Sequence, residues 1–128
     1  MLQETHIGND QQARCYRIYG YNLMTSHHHP KYGLAIYIKD TITDFNVTPP
    51  TEEETTFTTT NKIGELHITN VYTAPSTRWP KPALPSTTIP CIYAGDFNCH
   101  HTMWGYKTNE TDSEDLMDWI SAQDLQLI

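Results

Sequence analysis

The sequence predicts an α/β fold of short strands and loops with one well-marked helix near its C-terminal end. Three observations carry that expectation: a continuous apolar run at 33–39, an alternating stretch at 63–72, and a helical stripe after residue 111. Taken in chain order, Tyr16 to Tyr21 (YRIYGY) is aromatic and β-branched and is expected to be a strand. His27, His28 and His29 stand next to Pro30 and read as a loop, with metal binding the minor alternative. Gly33 to Lys39 (GLAIYIK) is apolar throughout and bounded by glycine and charge, which suits a buried strand. Thr55 to Thr60 is Thr-rich, with a real but context-dependent β-propensity, and is expected to be an exposed strand.

Ile63 to Tyr72 (IGELHITNVY) alternates, with Leu66, Ile68 and Asn70 on one side and His67, Thr69 and Val71 on the other. Pro75 to Pro90 holds five prolines and cannot be regular structure. Ile92, Tyr93 and Ala94 then form a short buried strand running into Gly95. Thr111 and Glu114 have the spacing of a capping box, so a helix is expected to begin at Thr111 or Asp112. Leu116, Trp119 and Ile120 recur at helical spacing to about Gln123 and would face the core. Leu125 and Leu127 alternate in the last residues, as the start of a further strand would.

The bulk numbers bound the function. At 128 residues the chain has room for one domain with a modest core. It is 38% hydrophobic and 18% charged, a globular balance without a long disordered block. No apolar run approaches the roughly 20 residues that span a bilayer, and MLQETHIGND lacks a signal-peptide pattern, so an intracellular setting is the default. Cys15, Cys91 and Cys99 are odd in number and form no C-x-x-C pair, against a zinc ribbon or thioredoxin-like site. They read as reduced thiols, with Cys91 in the core. The net charge of -7, from 8 Lys and Arg against 15 Asp and Glu, opposes binding of nucleic acid by phosphate neutralisation alone. Either some acids are metal ligands and solvated loop, or basic loops lie in sequence outside this chain.

Gly95-Asp96-Phe97-Asn98 is the segment that bears on chemistry. A strand ending in a carboxylate and a carboxamide two residues apart sends both to one side of its exit. Glycine before the acid lets another backbone or a ligand come close. The same four residues also fit a plain turn.

Their company selects between these readings. LQETH opens the chain; GLAIYIK, NVYTAPS, YAGDFNCHHTMWGY and the helix ending DLMDWISAQDLQLI follow in that order. This series closely resembles the endonuclease/exonuclease/phosphatase superfamily, and within it the endonuclease domains of jockey-like non-LTR retrotransposons. The resemblance implies a deoxyribonuclease-I-like α/β fold, a two-sheet β-sandwich flanked by helices, present as one partial domain over residues 1–128.

It also implies roles. Glu4 corresponds to the carboxylate ligand of a divalent cation, Mg²⁺ or Mn²⁺. Asp96 corresponds to the acid that positions or deprotonates the attacking water, Asn98 to the amide that holds the scissile phosphate, and Tyr72 to the strand-end hydroxyl near the phosphate. His100 and His101 are possible accessory residues, with packing or hydrogen bonding at least as good a reading; Trp104 and Gly105 read as a core anchor and a turn. The implied partner is DNA, with a reverse transcriptase domain in the full-length element and a nuclear site of action. No membrane partner is expected.

The resemblance further implies a fragment. The family's first strand, carrying an asparagine, and its final Ser-Asp-His segment have no counterpart here, and neither His6 nor His67 fills the latter place. A nearly inactive phosphodiester hydrolase is therefore expected. The alternatives are a non-catalytic interaction or nucleic-acid-binding remnant and a small-phosphoester phosphatase of the same superfamily.

Overall fold

The computed structural model describes residues 1–75 and 78–128. Ser76, the last residue of NVYTAPS, and Thr77, both at the head of the proline-rich connector, lie outside the described residues. The fold is mixed α/β, with two sheets and few helices. One sheet has three antiparallel strands, β1 (Leu2–Gln3), β3 (Leu34–Lys39) and β2 (Tyr21–His27), in that spatial order. The other is ordered β4 (Phe45–Val47), β6 (Thr56–Ile63), β7 (Leu66–Thr73) and β8 (Cys91–Asp96), with β5 (Thr51–Glu53) also on β6. A four-residue α1 (Asp10–Ala13) precedes β2, and α2 (Thr111–Ala122) follows a 3₁₀ turn at Thr102–Trp104.

Strand β7 organises the interior because its side chains alternate between two cores. Tyr72 packs with Leu34, Phe57 and Ala74, where the two sheets meet. Its neighbour Val71 points the other way, into a cluster with Trp79, Ala83, Leu84, Cys99, Leu116 and Trp119. The connector and α2 thus cover the far face of the larger sheet. Leu116 and Trp119 are buried as their spacing predicts. Trp119→Ala should cost about 3 kcal/mol, read as a lower denaturant midpoint at unchanged slope. A loss within about 0.5 kcal/mol would show that this cluster contributes little.

Strand β8 runs parallel to β7. Parallel neighbours need a crossover of a dozen or more residues, and the connector between Thr73 and Cys91 supplies it without a helix or strand among its described residues.

Several expectations are corrected. The first long strand is Tyr21–His27, not Tyr16–Tyr21; Tyr16, Ile18 and Tyr19 are exposed, so their β-propensity meets no packing partner. His27 ends that strand, leaving only His28 and His29 of the triplet in the loop. The threonine-rich strand is buried from Thr56 to Thr59, because β6 is an interior strand of its sheet. Hydroxyl pairs satisfy it: Thr51 with Thr58 at 2.8 Å, Thr60 with Thr69 at 2.9 Å and Thr56 with Thr73 at 3.3 Å.

The alternation from Ile63 to Tyr72 is broken by a two-residue turn, Gly64-Glu65, with Gly64 at φ 56, so Ile63 pairs with Leu66 across a hairpin. The strand at Ile92–Ala94 exists but is not buried: β8 is an edge strand, and Ile92 is 40% exposed. Cys91 is accordingly only half-buried, and Cys99 is the core thiol. Helix α2 starts at Thr111, yet its N-cap is Glu110 and makes no side-chain cap. Glu114 instead accepts from Asn109 at 2.7 Å, which removes the capping box. Asp124–Ile128 forms no strand, and Leu127 and Ile128 are exposed.

Burial pushes the Cys99 thiol up to about 11, with the carboxylates of Glu110, Asp112 and Asp96 acting in the same direction. Between its ordinary value of 9.0 and that raised value, the unfolded chain loses this proton while the folded chain keeps it. Stability from this group therefore falls as pH rises through that window. At pH 8 a thiol reagent should label exposed Cys15 rapidly and Cys99 only on unfolding, as peptide mapping of the alkylated protein would show. Equal labelling rates would contradict this burial.

Candidate active site

The site forms where strands from both sheets end together. Strand β1 pairs with the start of β3, Leu2 opposite Ala35 and Gln3 opposite Leu34, so Glu4 leaves the sheet at once. Two backbone bonds hold that exit, Thr5 N–H to the Gly33 carbonyl at 3.4 Å and His6 N–H to the Tyr32 carbonyl at 2.9 Å. Between them Glu4 is fixed at φ 50, a left-handed conformation that costs a non-glycine residue roughly 1–2 kcal/mol. Asn98, across the site, is also left-handed at φ 41. Backbone of this kind persists only where its surroundings over-determine it.

Tyr72 joins the two sheets at this point. It is fully buried, at 0% exposure, and its hydroxyl donates to Glu4 Oε1 at 3.0 Å. Desolvation raises the Tyr72 pKa well above the ordinary tyrosine value, and its hydrogen bond to Glu4 and the charges of Glu4 and Asp96 raise it further. The phenol keeps its proton and acts as a donor. Asp96 lies directly beside Tyr72 in the parallel register. Its Oδ1 accepts from the Asn98 N–H at 3.1 Å, and Asn98 Nδ2 donates to the Thr73 carbonyl at 2.9 Å. Glu4, Tyr72, Asp96 and Asn98 are thus held around one set of strand ends.

Gly95 makes this arrangement possible. A Cβ there would lie 1.8 Å from the Val71 carbonyl oxygen, so only glycine lets β8 approach β7 in this register. The close partner of this glycine is therefore backbone.

Two residues escaped the sequence reading. Asn70 is fully buried on β7; its Oδ1 accepts from Gln3 Nε2, and its Nδ2 donates to the Leu2 carbonyl at 3.2 Å. These bonds tie β1, and with it Glu4, to the larger sheet. The available signal was a carboxamide among the apolar positions of an alternating strand, which needs a buried partner.

The two histidines separate. His101 is buried and caps the 3₁₀ turn, its Nδ1 accepting from the Met103 N–H at 3.1 Å, while its Nε2 lies 3.5 Å from Glu114. His100 is exposed, stacked on Tyr106 at 4.2 Å and 3.1 Å from Glu110. Gly105, at φ 86, closes the turn, and Trp104 packs against the α2 cluster.

The groups facing the site are oxygen donors: two carboxylates, a carboxamide and a phenol. A hard cation such as Mg²⁺ takes oxygen ligands and is held by one or two carboxylates plus water and substrate phosphate. The donor chemistry fits that ion. Among the described residues there is no cluster of three or more His, Cys, Asp or Glu side chains of the kind that closes around a metal by itself. None of their helices is long and apolar enough to cross a membrane.

No curated protein and no solved structure matches the chain. Residues 66–128, which supply Tyr72, Asp96 and Asn98, match the family model described as endonuclease-reverse transcriptase. That match supports an endonuclease/exonuclease/phosphatase-type domain from retrotransposon proteins over those residues.

Proposed function

We propose that the chain carries catalytic residues of a metal-dependent phosphodiester hydrolase that nicks DNA, built on a deoxyribonuclease-I-like two-sheet β-sandwich flanked by helices. The observation that carries this reading is the convergence of Glu4, Tyr72, Asp96 and Asn98, held by hydrogen bonds of 2.9 to 3.1 Å. Glu4 is the residue that would hold Mg²⁺ or Mn²⁺, and the bound ion would neutralise charge on the phosphate.

The remaining work falls to the chain itself. Tyr72, pinned to Glu4, is a positioning residue. Asp96 is exposed at its strand end and has a carboxylate oxygen free to take a proton from water. Asn98 spends one N–H on Thr73, which leaves its other N–H and its carbonyl for a phosphate or a water. These groups would act by orientation and charge complementarity, the main means available for phosphoryl chemistry. DNA is the substrate, a retrotransposon polyprotein with a reverse transcriptase the setting, and the nucleus the place of action.

One observation favours the non-catalytic reading as the alternative. Among the described residues no imidazole reaches Asp96 and no second carboxylate contacts Glu4. Loss of one general acid–base partner costs about 10²–10⁴-fold. The 128-residue chain is therefore expected to nick supercoiled plasmid little or not at all with Mg²⁺. The assay is a time course on folded protein with EDTA and Asp96→Ala controls. Robust Mg²⁺-dependent nicking that disappears in Asp96→Ala would overturn the expected inactivity and support the hydrolase reading.

A further inference from the structure

A groove of about 1040 Å³ runs along the free edge of β2, and it shares no residue with the site above. Every residue from Tyr21 to Ser26 lines it. Successive strand residues point to opposite faces, so a groove touching all of them follows the strand's edge. β2 is the outer strand of its sheet, which is consistent with that placement. The other wall is the segment from α1 to Tyr19, anchored to the sheet where Tyr37 donates its hydroxyl to the Tyr16 carbonyl at 2.9 Å.

The chemistry of the walls is distinctive for this chain. Tyr16, Tyr19, Tyr21 and Tyr37 line the groove, half of the eight tyrosines in the sequence. Three of them are exposed, Tyr19 completely. Arg14 and Arg17 stand with them, and among the described residues neither makes an ion pair. The one acid in the lining, Asp10, lies 3.7 Å from His28 Nε2. In a chain of net charge -7, two unpaired guanidinium groups beside a row of phenol rings reverse the local sign.

We propose that this groove binds single-stranded nucleic acid. The arginines would meet backbone phosphates and the exposed tyrosines would stack on bases, the combination that holds a single strand without reading its sequence. Duplex DNA fits less well, because its bases are already stacked on one another.

The test is fluorescence anisotropy of a labelled oligothymidylate of roughly 12 nucleotides. EDTA is present throughout, so the result does not depend on a metal at Glu4. The intact chain should bind with an affinity that falls as salt rises. Arg14→Ala/Arg17→Ala should weaken binding at least tenfold and reduce the log–log salt slope by about 1.4, or 0.7 for each phosphate contact. Tyr19→Ala should cost about tenfold by loss of stacking, and its full exposure leaves the fold unaffected. Lys62→Ala/Lys81→Ala removes the same charge from lysines already paired with Glu65 and Asp115, and should bind as the parent does. Absence of binding, equal weakening in the two double variants, or displacement of the oligonucleotide from an unaffected groove by an acidic peptide of equal charge would overturn the proposal.

Discussion

Replacing Gly95 with alanine is expected to be the most damaging single change in the protein, costing about 4 kcal/mol. The added methyl carbon would sit 1.8 Å from the Val71 carbonyl oxygen, and backbone nitrogen and carbon of Val71 are also within 3 Å. No side-chain rotation relieves a clash with backbone, so β8 must leave β7. Because β8 is an edge strand, it can detach without dismantling the hairpin of β6 and β7. Small domains have only about 5–15 kcal/mol in total, so the variant should melt far below the parent or lose protection of β8 amides to hydrogen exchange. Asp96 would lose its place beside Tyr72 in either case. A variant with unchanged melting and an unchanged β8 would show that the strands have room to separate slightly.

The second large effect is expected at Glu4. If it is the carboxylate that holds a divalent cation, Glu4→Gln should weaken Mn²⁺ binding by about a hundredfold, since the amide keeps the shape but removes the charge. The readout is paramagnetic broadening of backbone resonances during a Mn²⁺ titration, which needs no catalysis. In the parent, broadening should centre on Glu4, Tyr72 and Asp96. Tyr72→Phe removes the hydroxyl that fixes Glu4 and should weaken binding by about tenfold, the lower end of what supporting partners contribute. Broadening that instead centres on the acidic first turn of α2, or that ignores the Glu4 substitution, would remove the metal from this site.

What the sequence disclosed follows from how local each signal is. The apolar run at Leu34–Lys39 and the stripe of Leu116 and Trp119 are patterns that burial alone produces, and both lie where expected. The threonine strand misled because threonine is equally at home in water and in a hydroxyl ladder. Only the flanking strands decide, and they come from elsewhere in the chain. Tyr16–Tyr21 misled because aromatic propensity presumes a packing partner that those residues lack. The motifs that single out Glu4, Tyr72, Asp96 and Asn98 are local in sequence, and the structure brings these four residues to neighbouring strand ends. The bonds of Asn70 and Gln3 are not local, because they span 67 residues of chain.

The same separations bear on how the molecule folds. Glu4 and Tyr72 are 68 residues apart, and the parallel pairing that delivers Asp96 must close the loop from β7 to β8. Closing long loops costs entropy before any contact repays it, and topologies rich in such contacts fold slowly. The hairpin of β6 and β7, joined by a two-residue turn, can form early. The carboxylates of Glu4 and Asp96 come near Tyr72 only once both sheets are complete.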